Sequence, residues 1–266
     1  MKDYLIFLDI DGTILNDKSN INFITKYYLK KFKRNNKIIL ATGRPLHGAM
    51  KIYHKLKLDT PIISNNGGLI SNPLDPNFKE IHSLIKMDDI KKFYSDNKEY
   101  LYAIFYDVED RIYTNNLSLI PKKLLTRTKH AKIYEGDFDK VLQEDAYGLL
   151  LSCKIEYKDI LENYFPKDYY INIRLWGIYD NICLYEMFNK NTSKGKCVKY
   201  LINYYKQPFE KTISFGDGVN DFELINSTFK GFAMKNGHDN LLKKAKYITS
   251  FDNNHNGVIK ELKKIK

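Results

Sequence analysis

Unbroken apolar runs alternate with helically spaced ones over the first third of the chain. Tyr4-Leu-Ile-Phe-Leu8 is apolar at every position and stops abruptly at Asp9, which predicts a short strand buried on both faces of a parallel sheet. From Asn22 to Lys33 the residues Phe23, Ile24, Tyr27, Tyr28 and Phe32 recur at helical spacing, with Asn20 or Asn22 available as N-cap. Ile38-Ile-Leu-Ala41 predicts a second strand. The segment from Pro45 to Leu56 predicts a helix with proline in its first turn, and Pro61-Ile-Ile-Ser64 predicts a third strand. Strand, helix, strand, helix, strand with short connections is the pattern of an α/β, Rossmann-like parallel sheet covered on both sides.

The rhythm changes after about His82. From there to about Phe188, apolar and polar residues alternate, as in Ala103 to Tyr106 and Tyr170 to Arg174, a hairpin signal falls at Asp110-Arg111, and helical patterns cover 88–97 and 159–165. Gly177 suggests a turn beside Trp176. These features predict an α+β module with a mainly antiparallel sheet. The α/β rhythm then resumes with a helix from about Ser193 to Tyr205, a strand Thr212-Ile-Ser-Phe215, a loop Gly216–Asp221 and a helix to Ile225. The expected organisation is a core of 1–82 and 189–266 interrupted by an inserted domain of 83–188.

Composition narrows the classes. With 266 residues, 43% hydrophobic and 14% aromatic, the chain is long and apolar enough for one large or two ordinary folded domains. No apolar run approaches the ~18 residues of a membrane span, so neither a span nor a secretory signal is expected. Cys153, Cys183 and Cys197 are odd in number and irregularly spaced, which fits neither a disulfide framework nor a zinc site and points to the cytoplasm. The net charge of +11 raises the question of an anionic partner. Only five of the 43 basic residues are Arg, and the lysines run along the whole chain, so a solvated surface is expected rather than a nucleic-acid face. The expected partner is a small molecule, with no nucleic acid and no membrane, and the expected state is a monomer or weak homo-oligomer.

The candidate chemistry sits at strand ends. Asp9 and Asp11 follow the first strand, where an open α/β sheet places its ligand, and Gly12 lets the chain turn sharply there. Taken alone, Asp-x-Asp-Gly also fits a calcium loop or a surface turn, but an EF-hand needs a preceding helix and here a strand precedes. A second acidic loop, Gly216-Asp217-Gly218-Val219-Asn220-Asp221, again follows an apolar strand. Carboxylates converging from two such loops need a cation to stay ionised, and Mg²⁺ is the expected one, with phosphate as the natural substrate group. Thr42, with Gly43 behind it, also follows a strand and has a hydroxyl to offer a phosphoryl oxygen; alone, the same residues read as a simple turn. Lys194 opens a predicted helix, where a cation is disfavoured unless an anion meets it, although among 38 lysines a surface position is the ordinary reading. Arg44 either reaches a leaving group or pairs with a neighbouring carboxylate.

Taken in order, Asp9-Ile-Asp11-Gly-Thr13, Thr42, Lys194 and Gly216-Asp217 through Asn220-Asp221 resemble the four motifs of the haloacid dehalogenase superfamily. The placing of the insertion resembles the class IIB cap of its Cof-type sugar phosphatases, as do Asn65-Asn66-Gly-Gly68 and Tyr185-Glu186-Met187. The resemblance implies that Asp9 is a nucleophile forming an aspartyl-phosphate and Asp11 the general acid and base. It implies that Asp9, Asp11 and Asp217 hold Mg²⁺, with Asn220 and Asp221 completing the water shell or orienting Lys194, and that Thr42 and Lys194 bind the phosphoryl oxygens. Gly43, Arg44, Asn66, Arg174 and Glu186 are the candidate substrate-binding residues, although Arg174 also reads as packing and Glu186 equally as a strand carboxylate at a domain hinge. In the insertion, Trp176, Arg111 and Tyr113 read either as a cluster closing over a sugar phosphate or as packing. The implied activity is hydrolysis of small phosphorylated metabolites. A phosphomutase of the phosphomannomutase kind is the enzymatic alternative, and a basic nucleic-acid-binding protein that has lost the chemistry is the non-enzymatic one.

Overall fold

The computed structural model describes residues 1–120 and 131–265 and divides into two compact units, Met1–Ile81 with Thr192–Lys266 and His82–Asn191. The second boundary lies after residue 191 instead of 188, because the strand Ile182–Asn189 belongs wholly to the second unit.

In the first unit, β1 (Leu5–Leu8), β2 (Lys37–Leu40), β12 (Thr212–Gly216), β13 (Lys230–Ala233) and β14 (Tyr247–Ile248) form a parallel sheet in the order β14-β13-β12-β1-β2. A parallel bridge from Ala41 to Ile63 links it to β3 (Ile62–Ser64), which pairs antiparallel with β4 (Leu69–Ser71), and the two-residue β5 (Ile81–His82) follows β4 in that small sheet. The unbroken apolar runs are explained by burial on both faces. Ile6 and Leu8 pack with Ile38, Leu40, Ile213 and Phe215 in one core that includes Ala49 and Tyr53 of the helix Leu46–Leu56 and Ile259 and Leu262 of the helix Gly257–Lys264. Leu5 and Phe7 pack on the other side with Ile39, Val198 and Leu201, the last two from the helix Lys194–Tyr204. Each such side chain taken from water is worth ~1.5–3 kcal/mol, so β1 is an anchored platform for the loop that leaves its last residue.

In the second unit, among the described residues, six strands run in the order β10-β11-β9-β6-β7-β8: β6 (Leu101–Val108), β7 (Arg111–Thr114), β8 (Lys132–Glu135), β9 (Gly148–Lys154), β10 (Ile171–Tyr179) and β11 (Ile182–Asn189). All neighbours are antiparallel except β7 and β8. Helices Met87–Asn97, Phe138–Val141 and Lys158–Glu162 supply Ile90, Phe93, Phe138 and Leu161 to a core shared with alternate strand residues such as Leu149, Leu151, Tyr185 and Met187. The third helix ends at Glu162, short of the expected 165. Gly177 does not make a turn. It lies within β10 at a bulge between Leu175 and Gly177, a place where glycine is tolerated, and the hairpin turns at Asp180-Asn181, both with positive φ.

Candidate active site

Three loops leave the carboxyl edge of the first unit's sheet next to one another, because β12, β1 and β2 are adjacent and parallel. The loop after β1 carries Asp9 and Asp11, the residues after β2 carry Thr42 and Arg44, and the loop after β12 carries Asp217, Asn220 and Asp221. One carboxylate oxygen from each of Asp9, Asp217 and Asp221 lies within 4.8 Å of the others.

Lys194 joins this group from the first position of its helix. Ser193 caps that helix, its Oγ accepting from the Lys196 amide at 3.2 Å. The lysine is 1% exposed, and its Nζ donates to Asp9 Oδ1 and Asp221 Oδ1, both at 2.6 Å. The unfavourable placement of a cation at a helix start is thus offset by two buried carboxylates. Asp221 has its other oxygen engaged as well, with Oδ2 accepting from the amides of Asp217 at 3.0 Å and Gly218 at 2.9 Å. Both oxygens are therefore spent on holding Lys194 and shaping the loop.

Asp11 and Arg44 form a bidentate pair, Nε to Oδ2 at 2.7 Å and Nη2 to Oδ1 at 2.6 Å, a geometry that fixes both planes. Of the two sequence readings of Arg44, this arrangement is the carboxylate pair. Thr42 is buried, and its Oγ1 accepts from the Arg44 amide at 3.1 Å, which leaves its own hydroxyl proton to donate. Behind it, a Cβ at Gly43 would stand 2.9 Å from Asn66 Oδ1 and would push the Asn66 amide aside. That same Asn66 oxygen accepts from Asn220 Nδ2 at 2.8 Å, so the sequence-selected residues Gly43, Asn66 and Asn220 are in one place.

Two further residues carry the geometry, and neither has a role that its sequence position assigns. Thr13 donates from Oγ1 to Asp217 Oδ1 at 3.2 Å, tying the two acidic loops together; its place in the first motif is the available signal. Asn236, on the turn after β13, donates from Nδ2 to the Gly12 carbonyl at 2.8 Å, and nothing in its local sequence marks it. Gly12 itself has φ +70°, and a Cβ there would fall 2.1 Å from Asp217 Oδ2.

The electrostatics leave a deficit of positive charge. Burial holds the Asp9 carboxyl well above the usual carboxylate range, and Asp221 and Asp217 add to the rise against the pull of Lys194. Asp217 is pushed up to about 7 by burial and then by Asp221. Burial works against the charge on Lys194, but Asp221 and Asp9 more than offset it and its pKa is raised. Four carboxylates, of Asp9, Asp11, Asp217 and Asp221, face the two cations Lys194 and Arg44. A divalent ion would supply the missing charge, and an all-oxygen donor set suits a hard cation. The residues present therefore fit a divalent metal.

In the second unit, Arg174 and Glu186 are register partners on β10 and β11, joined Nη2 to Oε2, and Trp176 Nε1 donates to the same Oε2 at 3.2 Å. The Arg174 guanidinium also lies 4.7 Å from the centre of the Phe188 ring. Glu186 alternates with Tyr185 and Met187, so it stands on the sheet face opposite the helix-covered core. Arg111 and Tyr113 instead meet Glu144, the tyrosine at 2.8 Å, as part of the unit's packing.

Residues 6–262 match the family model described as haloacid dehalogenase-like hydrolase. Among curated proteins, the 5-amino-6-(5-phospho-D-ribitylamino)uracil phosphatase YitU of Bacillus subtilis is 28% identical over 98% of this chain and 97% of its own length. A putative phosphatase of Buchnera aphidicola is 29% identical over 91% of this chain and 90% of its own. Among solved structures, a haloacid dehalogenase-like hydrolase from Bacteroides thetaiotaomicron superposes with a TM-score of 0.84 at 26% identity over all of both chains. The subclass IIB sugar phosphatase BT4131 superposes with a TM-score of 0.78 at 20% identity over 98% of each, a likeness of fold. The parallel-sheet core with its mixed α/β insertion is thus shared architecture, and the chain belongs to the haloacid dehalogenase-like hydrolases.

Proposed function

We propose that the protein is a Mg²⁺-dependent phosphomonoesterase of small metabolites, with sugar phosphates as the preferred class, acting in the cytosol. The first unit is the catalytic core and the second the cap. The observation that carries the reading is the convergence of Asp9, Asp217 and Asp221 around one buried lysine at the carboxyl edge of the sheet. Two similar proteins support the substrate class: YitU is a 5-amino-6-(5-phospho-D-ribitylamino)uracil phosphatase and BT4131 a sugar phosphatase. The three cysteines, all free and buried, support the cytosolic assignment.

Asp9, Asp217 and the Asp11 backbone carbonyl would hold the metal, which when bound neutralises charge on the phosphoryl oxygens. Asp9, fixed by Lys194, attacks phosphorus through its free oxygen, forming an aspartyl-phosphate as the bond to the leaving alcohol breaks. Asp11 gives its proton to the departing oxygen, then takes one from the water that cleaves the aspartyl-phosphate and releases inorganic phosphate. Both steps require the Asp11 carboxyl to leave Arg44: released and protonated from solvent it is the acid of the first step, and ionised by that step it is the base of the second. The Thr42 hydroxyl and the Lys194 ammonium donate to the transferring phosphoryl group. Gly43, Asn66 and Asn220 line the same loop cluster, and Arg174 and Glu186 are assigned to substrate recognition by the cap.

Release of inorganic phosphate from a panel that includes hexose and pentose phosphates, 5-amino-6-(5-phospho-D-ribitylamino)uracil and an aryl phosphate tests this, with and without Mg²⁺. Asp9→Asn is expected to lose on the order of 10⁴-fold in kcat. Activity that survives Asp9→Asn would remove the nucleophile assignment, and an isomerised product without free phosphate would replace hydrolysis by a mutase reaction.

A further inference from the structure

Asn236 is a solvent-exposed residue whose amide is nevertheless committed at both ends. Its Nδ2 donates to the Gly12 carbonyl at 2.8 Å, and its Oδ1 accepts from the Asn253 amide at 3.0 Å. Asn253 in turn donates from Nδ2 to the Leu15 carbonyl at 2.9 Å, so the pair grips the segment after β1 at two carbonyls. The turn that bears Asn236 is bound to the other acidic loop through its backbone. Met234 donates to the Gly216 carbonyl and His238 to the Asp217 carbonyl, each at 2.8 Å. Asn236 therefore bridges the two loops that carry Asp11 and Asp217, and it does so at Gly12, the left-handed residue packed against the Asp217 carboxylate.

We propose that Asn236 is a positioning residue of the metal centre: by fixing the Gly12 carbonyl it sets the turn that aims the Asp11 carbonyl and its spacing from Asp217. The proposal rests on the metal reading above. Mg²⁺ demands near-ideal octahedral geometry at ~2.0–2.1 Å, whereas Ca²⁺ accepts longer and looser arrangements at ~2.3–2.6 Å, so loosening this bridge weakens Mg²⁺ more than Ca²⁺. Loss of such an outer-shell partner typically costs ~10–100-fold in metal affinity.

The test is thermal unfolding of the intact, substrate-free protein titrated with Mg²⁺ and with Ca²⁺, since a ligand of the folded state raises its stability by mass action. Asn236→Ala is expected to raise the Mg²⁺ concentration for half-maximal stabilisation ~10-fold, with a smaller change for Ca²⁺. Asn236→Asp keeps the acceptor for Asn253 but sets a carboxylate against the Gly12 carbonyl, and is expected to be at least as impaired. A wild-type Mg²⁺ midpoint in both variants overturns the proposal, and a lowered metal-free melting temperature with that midpoint unchanged makes Asn236 a loop staple only. Asp217→Asn separates the two readings: if wild type shows no Mg²⁺ stabilisation, or keeps it in Asp217→Asn, the metal site itself is wrongly placed and the proposal falls with it.

Discussion

Removing the Lys194 ammonium leaves Asp9 and Asp221 facing each other in the interior with no counter-charge. Lys194→Met is accordingly expected to destabilise the fold by ~3–5 kcal/mol, read by urea unfolding of the metal-free protein, because breaking one side of a buried ion pair strands the other. A loss under about 1 kcal/mol would mean the carboxylates are not charged there. The pH dependence runs opposite to that of an ordinary acidic residue. The Asp217 carboxyl, pushed up to about 7 in the fold against 3.8 for a free side chain, holds more protons folded than unfolded between these values. Its contribution to metal-free stability therefore falls as pH rises from about 4 through about 7. A metal needs the ionised form, so the rise in melting temperature on adding Mg²⁺ is expected to be larger near pH 8 than near pH 5.5. An equal rise at both would take Asp217 out of the ligand set. Asp9, Asp11, Thr42, Lys194 and Asp217 are legible in the sequence because each stands directly after an apolar run or at a helix start. Thr13 and Asn236 have no such mark, since what defines them is a partner more than 200 positions away.

Elements buried on both faces are the easiest to read. β1 and β2 show as solid apolar runs because alternate residues feed two different cores, whereas β12 places Ile213 and Phe215 in one core and buries Thr212 and Ser214 on hydrogen bonds. β9 gives no comparable signal, since Gly148-Leu-Leu-Leu-Ser-Cys-Lys154 lacks clean alternation and its role depends on its long-range pairs with β6 and β11. The β10–β11 hairpin misleads in a more specific way, because its glycine sits in a bulge and its turn is built from Asp180 and Asn181 at φ 47° and 64°. A branched residue is strained in that region, so Asn181→Val is expected to cost ~1–2 kcal/mol in thermal or urea unfolding, while Asn181→Gly is expected to be neutral or better. Tolerance of valine would show that strand packing, rather than the turn, fixes the register that pairs Arg174 with Glu186.

The second unit is contiguous in sequence and has its own core of helix and strand residues, from Ile85 and Phe93 to Tyr185 and Met187. A fragment of residues 82–191 is expected to fold by itself, seen as a cooperative thermal transition by circular dichroism with dispersed amide signals; a featureless melt would show that it depends on the rest of the chain. The first unit has no such independence. β1 lies between β2, which follows it closely, and β12, which begins at Thr212, and Asp9 meets its lysine across 185 positions. On the ribosome this order has a price in time. At ~5–20 residues per second, roughly ten to thirty seconds separate completion of β2 from the first residue of β12. Throughout that interval the apolar strand that leads into Asp9 has one edge of unpaired backbone groups, the kind of surface on which nascent chains stick to one another. Asp9 is thus among the first residues made and among the last to be sheltered.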